Sequence, residues 1–307
     1  VRHSAYALWY TEHDGIMLSV GIPAYNSNVS ELLSALADQA SLLPEVLEII
    51  VLDDASEALI LPEGFVAPKV RVLRHTLNQG RSKTRNHIAS EAKSPWILFI
   101  DGDSGIYDGL FLRRWCDYLA STSASVVVGG SDYQTTRPSS DLFLRWHVSR
   151  MREQTGESFK TNNVAIQASV FNQISFNEAL QGYGHEDTLF GFELQQKKIP
   201  VEKYGNPVLN EHLDSNEEFL RKTVTGIRNL LKAQSLSSHP DSFNQQIRML
   251  RFYHRLQRFH FLFLIEFLDY LLYKTVRNRL LKGKKVGMVN AFDFFKLCTL
   301  HRLRKEA

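Results

Sequence analysis

The first half of the chain alternates short apolar runs with segments of helical periodicity, and this alternation constrains the fold more than any other feature. The apolar runs lie at residues 17–22, 47–52, 70–73, 96–100 and 125–128. The helical segments lie at residues 28–42, 82–91 and 110–120, and the first opens with Asn28 and Glu31 at capping-box spacing. Strands separated by helices in this way predict an α/β fold with a Rossmann-like, doubly wound and mostly parallel sheet.

Polar and acidic residues follow three of these predicted strands. They are Pro23 and Tyr25 after the first strand, Asp53 and Asp54 after the second, and Asp101, Gly102 and Asp103 after the fourth. In doubly wound sheets, ligands bind beyond the carboxyl ends of the strands. The sequence therefore predicts a binding site at this edge.

Composition excludes several classes of protein. Of the 307 residues, 44% are hydrophobic and 22% are charged, which does not fit a disordered polar chain. Cys116 and Cys298 are the only cysteines, so a disulfide framework and a Cys-based zinc site are excluded. We expect a reduced, cytoplasmic compartment, and residues 1–15 show no basic-then-apolar signal peptide.

The pair Asp101 and Asp103 is the first candidate for chemistry. Two carboxylates separated by one small residue present oxygen atoms to a hard divalent cation. Gly102 between them adds no side-chain bulk, so a ligand can approach closely. The alternative is a solvated turn, because Asp and Gly are common after strands.

Two other segments offer groups for a nucleotide. A carboxylate of Asp53 or Asp54 can accept a hydrogen bond from the imide N–H of uracil. Gly80 frees the backbone at a helix start, where Arg81 or Arg85 can meet phosphate oxygens. The alternatives are a helix cap or Asx turn for the carboxylates and a solvated surface helix for the arginines.

Residues 20–103 resemble the nucleotide-sugar-binding half of family 2 glycosyltransferases, which have the GT-A fold. The matching stretches are Gly21–Asn26, Ile50–Ser56, Asn78–Asn86 and Phe99–Ser104. Four matches in the same order are more specific than an isolated Asp-x-Asp pattern. One departure is Ala55, where the family commonly has Gly, and we expect a slightly altered turn there.

The resemblance implies a UDP-sugar donor and a bound Mn²⁺ or Mg²⁺. It implies that Asp53 or Asp54 contacts the uracil and that Arg85 contacts the nucleotide or its phosphates. Asp103 would bind the metal directly, with Asp101 on the ribose or on the hydration shell of the metal. The other residues assigned to the donor pocket are Pro23, Tyr25, Asn78, Gly80, Arg81 and Gly102.

In the second half, Gly182–Gly191 is similar to a segment of galactosyltransferase-like members of the family. Inverting transfer requires the acceptor hydroxyl to lose its proton, and a positioned carboxylate helps. We assign Asp187 as the base and Glu186 as a contact to the acceptor hydroxyl, although the two roles can be exchanged. Tyr183 is assigned to a sugar face. The alternative is a capped helix start, because acidic residues in a first turn suit the helix dipole.

Two further assignments come from the resemblance. His212 lies where relatives often supply a third metal ligand, and neutral imidazole suits Mn²⁺. Asn210 is the alternative occupant of that position, and a polar surface histidine is the simpler interpretation. Asn162 and Asn163 resemble an element near the donor or acceptor sugar, with an ordinary turn as the alternative.

The last part of the chain differs in charge from the rest. Residues 243–307 contain 14 Lys and Arg against 4 Asp and Glu, whereas the net charge of the whole chain is only +3. We predict a GT-A domain over residues 1–242 and a basic, amphipathic helical extension over residues 243–307. The apolar face of this extension packs on the catalytic body, on a second subunit as a homodimer, or on the inner face of an anionic membrane. Charges recur too often for a membrane-spanning helix.

These features together predict an inverting, metal-dependent glycosyltransferase of glycan or polysaccharide biosynthesis. It would move a hexose or N-acetylhexosamine from a UDP-sugar to a saccharide or a lipid-linked saccharide. One alternative is a sugar nucleotidyltransferase, which needs a Gly-rich basic signature that residues 23–26 lack. The other is a non-catalytic protein that binds sugar nucleotides. No nucleic-acid partner is expected, because the acidic body would repel phosphates.

Overall fold

The computed structural model describes residues 16–306 except 59, 153–158, 211 and 285–286. The predictions made for residues 1–15 and for Lys285 of the basic extension fall outside the described residues. The strands are β1 (Leu18–Ala24), β2 (Val46–Asp53), β3 (Val70–Arg74), β4 (Trp96–Ile100), β5 (Ser104–Gly105), β6 (Val126–Val128), β7 (Ser131–Tyr133), β8 (Asn163–Gln167), β9 (Val201–Lys203) and β10 (Val208–Asn210).

Ten α-helices are described over the same residues. They are α1 (Ser30–Ser41), α2 (Arg81–Glu91), α3 (Phe111–Leu119), α4 (Phe143–Arg152), α5 (Glu186–Gln196), α6 (Asn216–Leu236), α7 (Pro240–Gln246), α8 (Arg248–Arg258), α9 (Leu262–Leu281) and α10 (Met288–Glu306), with a 3₁₀ turn at Ala168–Asn172. Every helix expected in the first half is present, within one or two residues of its predicted ends.

The main sheet has the order β3-β2-β1-β4-β8-β6-β9 within the described residues. Its strands are parallel except β8, which runs antiparallel to both β4 and β6. Apolar residues cover both faces: α1 and α3 pack on one face, while α2 and α5 pack on the other. The predicted doubly wound, mostly parallel α/β sheet is therefore confirmed.

The central strands are buried along most of their length, which explains their continuous apolar character. All five residues of β4 are buried, and in β1 only Pro23 is partly exposed. Strands covered by helices on both sides lose the alternation of apolar and polar residues that a half-exposed strand shows. Because β1 pairs parallel with both β2 and β4, the carboxyl ends of these three strands lie at the same edge of the sheet.

The predicted capping box at Asn28 is wrong. The Oδ1 atom of Asn28 accepts hydrogen bonds from the N–H and the hydroxyl of Ser30, at 2.9 and 2.5 Å. Val29 occupies the N-cap position, without a side-chain hydrogen bond. A short Asn side chain readily bonds the backbone two residues on, and that turn takes the place of the longer reach that a capping box needs.

A small second sheet crosses the edge of the main one, in the order β5-β10-β7. Its strand β10 pairs antiparallel with β5, which directly follows Asp103. Strand β8 in turn pairs with β4 so that Asn163 lies opposite Ile100. Both pairings bring later segments of the chain to the acidic end of β4.

The helices after α6 pack against the second half of the chain. An apolar cluster joins Phe192 of α5 and Leu230 of α6 to Phe243 and Leu300 of the extension. Residue 243 lies within α7, and the division of the chain at residue 242 stays a prediction. Among the described residues, no helix combines the length and the apolar character needed to cross a membrane.

Candidate active site

Asp54 holds the loop that leads into α2. Its two carboxylate oxygens accept hydrogen bonds from the backbone N–H groups of Gln79 and Gly80, each at 2.8 Å. The side-chain amide of Asn78 donates to the Asp54 carbonyl at 3.3 Å, and Nδ1 of His75 lies 2.7 Å from Oδ1. Gly80 has a φ of 85°, which favours glycine. Asp54 is therefore buried, and its hydrogen bonds hold this loop in position.

Asp53 is buried beside Asp54 but has fewer partners. Its Oδ1 accepts from the backbone N–H of Ser56 at 2.9 Å, and its Oδ2 lies 3.3 Å from Nε of the half-exposed Arg74. The next turn residue, Ala55, has a φ of 62°, which costs a residue with a Cβ about 1 kcal/mol. Ala55 thus keeps the left-handed conformation for which glycine is suited.

Arg85 joins Asp101, at the end of β4, to Glu186 in the second half of the chain. Its side chain is 2% exposed, and one guanidinium nitrogen lies 2.6 Å from Oδ1 of Asp101. Another lies 3.5 Å from Oε1 of Glu186, and Arg81 lies 4.0 Å from the same oxygen. A buried arginine needs such partners because its charge is otherwise unsolvated. This bridge fixes α2, the end of β4 and the start of α5 together.

Gly102 allows the turn after β4 to pack against the end of β1. A Cβ atom on Gly102 would lie 2.9 Å from Val29 and 3.3 Å from the carbonyl oxygen of Pro23. Both distances are shorter than ordinary contact, so a larger residue would push the turn away. Tyr25, which directly follows β1, is 49% exposed.

Asp103 lies exposed in the turn that follows β4. Loss of surrounding water raises the pKa of its carboxyl, and repulsion from Asp101 raises it further, while Arg81 and His212 act in the opposite direction. Dehydration is thus the largest cause of the raised pKa, and repulsion between the two carboxylates adds to it. An added cation at this position would relieve the repulsion.

The donor atoms near Asp103 fit Mn²⁺ or Mg²⁺. Within the part of the chain that the structure describes, no three His, Cys, Asp or Glu side chains converge on a metal position. Asp101 and Asp103 are hard oxygen donors of the type that suits such a cation, and their binding of a metal stays a prediction. Mg²⁺ is commonly held by one or two carboxylates and substrate phosphates in this manner.

His185 and Glu186 form the start of α5. His185 is the N-cap residue with a φ of 70°, and burial lowers its pKa to about 4 although Asp187 opposes the shift. Burial raises the pKa of Glu186, and so does Asp187, while Arg81 and Arg85 act against both. The glutamate is thus a buried acid held by two arginines.

Asp187 is the less constrained carboxylate of the pair. Its Oδ1 accepts from the backbone N–H of Thr188 at 2.6 Å, and the residue is half-buried. No ion pair to Asp187 occurs among the described residues, in contrast to Glu186. One of its oxygens is therefore oriented by the start of the helix.

Tyr183 is contacted by two cations. The guanidinium carbon of Arg81 lies 4.9 Å from the ring centroid, and Nζ of Lys222 lies 5.4 Å from it. Cations over an aromatic face are attracted by its quadrupole. The ring therefore orients Arg81 beside Glu186, and its assignment to a sugar face stays a prediction.

Asn162 and Asn163 have different surroundings. The Asn163 amide is fully buried and donates to the carbonyls of Gly130 and Asn206, at 2.9 and 2.8 Å. Asn162 is half-buried, donates to Ser131 at 2.7 Å, and its carbonyl accepts from the Asp101 N–H at 3.2 Å. Asn163 thus joins the turn between β6 and β7 to the loop between β9 and β10, whereas Asn162 lies next to Asp101.

The pairing of β10 with β5 brings His212 near Asp103. Asn210 lies opposite Ser104 in the β10–β5 pair, so the chain emerges from β10 beside the acidic turn. His212 is exposed and interacts electrostatically with Asp103. Its role as a metal ligand, with Asn210 as the alternative, stays a prediction.

Sequence reasoning did not select His75 and Lys222. His75 directly follows β3, so the rule that drew attention to the other strand ends would have found it. It bonds Asp54 on one side and His87 on the other, at 2.7 and 2.9 Å. Lys222 lies within α6 and contacts Tyr183 only through tertiary packing, so no local signal identifies it.

Replacing Asp54 with alanine is expected to loosen the loop before α2. The change leaves the N–H groups of Gln79 and Gly80 without their acceptor, and we expect the free energy of unfolding to fall by about 2 kcal/mol or more. Urea unfolding and amide hydrogen exchange at Gln79 and Gly80 measure this. The exposed Glu57→Ala serves as the control, and unchanged exchange at both amides in Asp54→Ala would show that the carboxylate does not hold the loop.

Comparison with known proteins identifies the family to which this chain belongs. Residues 19–180 match the family described as Glycosyl transferase family 2. A curated protein of Haemophilus influenzae, described as an uncharacterized glycosyltransferase, is 37% identical over 89 residues. That match covers 28% of this chain and 29% of the relative, so the chain aligns with less than a third of the relative's length.

Solved structures resemble the fold at low sequence identity. Glucosyl-3-phosphoglycerate synthase from Mycobacterium tuberculosis, in complex with Mn²⁺, UDP-glucose and phosphoglyceric acid, is 18% identical with a TM-score of 0.51. That likeness covers 71% of this chain and 80% of the other. TarS of S. aureus (residues 1–349) is 17% identical with a TM-score of 0.46, over 95% and 92% of the two chains. The mostly parallel sheet with its C-terminal helices has the GT-A-like architecture.

Proposed function

This chain belongs to glycosyl transferase family 2, and from that premise we propose an inverting, metal-dependent enzyme that uses a UDP-sugar. The sugar would be a hexose or N-acetylhexosamine, and the acceptor a saccharide, free or carried on a lipid, in glycan or polysaccharide biosynthesis. The observation that carries the proposal is the bridge from Asp101 through Arg85 to Glu186, at 2.6 and 3.5 Å. It joins the proposed donor pocket to the proposed acceptor carboxylates, as transfer between two substrates requires.

The donor pocket would use Asp53 rather than Asp54 for the uracil. Both oxygens of Asp54 already accept hydrogen bonds from backbone N–H groups, whereas Asp53 has an exchangeable partner in the half-exposed Arg74. Tyr25 and Pro23 would flank the base at the end of β1. Arg81, at the start of α2, would meet the diphosphate, while Arg85 orients Asp101 toward the ribose.

Asp103 would hold the divalent cation, with Asp101 beside it, and substrate oxygens or water would complete the coordination. When bound, the cation would neutralise the charge that grows on the departing diphosphate. Support comes from the raised pKa of Asp103, which reflects both dehydration and repulsion between the two carboxylates. The M. tuberculosis structure with Mn²⁺ and UDP-glucose supports the choice of ion and nucleotide.

Asp187 would take the proton from the acceptor hydroxyl. Among the described residues it has no ion pair, and its Oδ1 is oriented by the Thr188 N–H at 2.6 Å. Glu186 lies 3.5 Å from Arg85 and 4.0 Å from Arg81, so its carboxylate is already occupied by these partners. Glu186 would therefore contact the acceptor hydroxyl and hold the arginines in place.

A binding and hydrolysis experiment tests the proposal. We expect UDP to raise the melting temperature only slightly alone and more in the presence of Mn²⁺, and a UDP-sugar to be hydrolysed slowly without acceptor. Screening UDP-hexoses and UDP-N-acetylhexosamines identifies the donor. Release of diphosphate from UTP and a sugar phosphate, without hydrolysis of any UDP-sugar, would instead indicate a nucleotidyltransferase.

A further inference from the structure

The outer side of α9 carries an apolar surface that the rest of the described protein does not cover. We define this outer surface by Phe259, Phe261, Phe263, Phe267, Tyr270 and Leu271. Phe263 and Phe267 are each 59% exposed, and Tyr270 is 89% exposed. Monomeric proteins rarely leave so many large apolar side chains exposed together.

The inner side of α9 is already packed. Ile265 and Leu280 are buried, and Tyr273 stacks on Phe295 of α10. α9 thus carries apolar residues on its outer side as well as on its packed side, among charged residues of both signs. An exposed apolar surface of this extent marks a contact with another molecule or with a membrane.

The charges on α9 are divided between these two sides. Its two acids are engaged by α10: Asp269 pairs with Arg302 at 2.8 Å, and Glu266 pairs with His301 at 3.4 Å and with Lys305. The exposed charged residues around the outer surface are the cations Arg258, Lys274, Lys282 and Lys284 and the acid Glu266, which is paired with α10. The outer surface therefore combines apolar groups with an excess of positive charge.

A cationic recess lies at the carboxyl end of α9. It has a volume of about 500 Å³ and is lined by Thr275, Asn278, Arg279, Lys282 and Lys284. The hydroxyl, amide and cationic groups together suit phosphate oxygens. The aromatic surface and this recess lie along the same helix, which is about 30 Å long.

We propose that the outer surface of α9 docks on an anionic membrane, with aromatic side chains at the acyl boundary and the recess on lipid phosphates. The acids on α9 prevent it from crossing the bilayer, and an interfacial helix needs only one apolar side. A second copy fits less well, because pairing this surface with itself would bring the cations of both copies together without acidic partners.

Vesicle flotation with the whole protein tests this proposal. We expect binding to phosphatidylcholine vesicles that contain phosphatidylglycerol, weaker binding to phosphatidylcholine alone, and release at high salt. Phe263→Ser with Phe267→Ser should weaken binding about tenfold or more, through the loss of buried apolar area. Lys282→Glu with Lys284→Glu should weaken it by at least a similar factor, because each charge near an anionic surface contributes about fivefold.

Matched variants distinguish a loss of binding at this surface from the general effect of removing apolar or positive groups. Leu42→Ser with Val66→Ser removes exposed apolar groups elsewhere, and Lys93→Glu with Lys197→Glu changes the net charge equally. Both controls should bind as the unchanged protein does, and circular dichroism checks folding.

Failure of the unchanged protein to float, equal binding by all variants, or a dimer that Phe263→Ser with Phe267→Ser dissociates would each overturn the proposal. Donor hydrolysis is measured separately, so a failed membrane test does not bear on the proposed transfer.

Discussion

Replacing Asp103 with alanine is expected to reduce transfer by about a thousandfold or more, because the proposed cation loses its direct ligand. The raised pKa of this carboxyl reflects dehydration and the adjacent Asp101, and both effects favour a bound cation. The same change should abolish the extra thermal stabilisation that Mn²⁺ gives to the UDP complex. Stabilisation by UDP alone should change little, since Asp53 and the loop before α2 remain.

The exposed Asp38→Ala provides the control for Asp103→Ala, because it removes one carboxylate from α1 outside the site. It should keep full activity and the full effect of Mn²⁺. Asp103→Asn adds a second comparison, because it keeps the side-chain volume and removes the negative charge. Full activity in Asp103→Ala would remove the metal assignment altogether.

Replacing Asp187 with asparagine is expected to lower turnover by about a hundredfold to ten thousandfold, the usual contribution of a positioned base. The asparagine oxygen can still accept the hydrogen bond from the Thr188 N–H, so the start of α5 should be preserved. UDP binding and its enhancement by Mn²⁺ should therefore stay close to those of the unchanged protein. Steady-state transfer and calorimetric titration with UDP measure the two quantities.

Glu186→Gln decides whether the two carboxylates have exchanged roles. Glutamine cannot balance Arg85, so this variant should lose stability as well as transfer. Loss confined to turnover in Asp187→Asn, with loss of stability in Glu186→Gln, supports the proposed roles. Unchanged turnover in Asp187→Asn together with a pure loss of turnover in Glu186→Gln would make Glu186 the base.

Local sequence patterns predicted the first half of the fold closely. Strand β4 begins and ends where the apolar run at residues 96–100 does, because burial on both faces leaves a continuous apolar segment. The capping box at Asn28 failed since two local hydrogen-bonding patterns compete for the same side chain, and the shorter one formed. Strand β8 was not predicted to run antiparallel, because direction in a sheet depends on the connecting chain rather than on the strand itself.

The sequence predicted where these side chains lie better than it predicted what each one contacts. Asp53 and Asp54 are adjacent and chemically identical, yet one binds the loop at Gln79 and Gly80 while the other retains a replaceable partner. The pair Asn162 and Asn163 divides in the same way, with Asn163 fully buried. Adjacent residues on a strand point to opposite sides, and only the packing on each side determines what each one contacts.

The sequence by itself determined the family, the order of the strands along the chain and the acidic residues at their ends. These follow from local apolar runs and from short motifs, which act over a few residues. Only the tertiary structure decided that Arg85 links Asp101 to Glu186 and that both acids of α9 pair with α10. Such contacts join residues far apart in the chain, and their geometry depends on how whole elements pack rather than on any local preference.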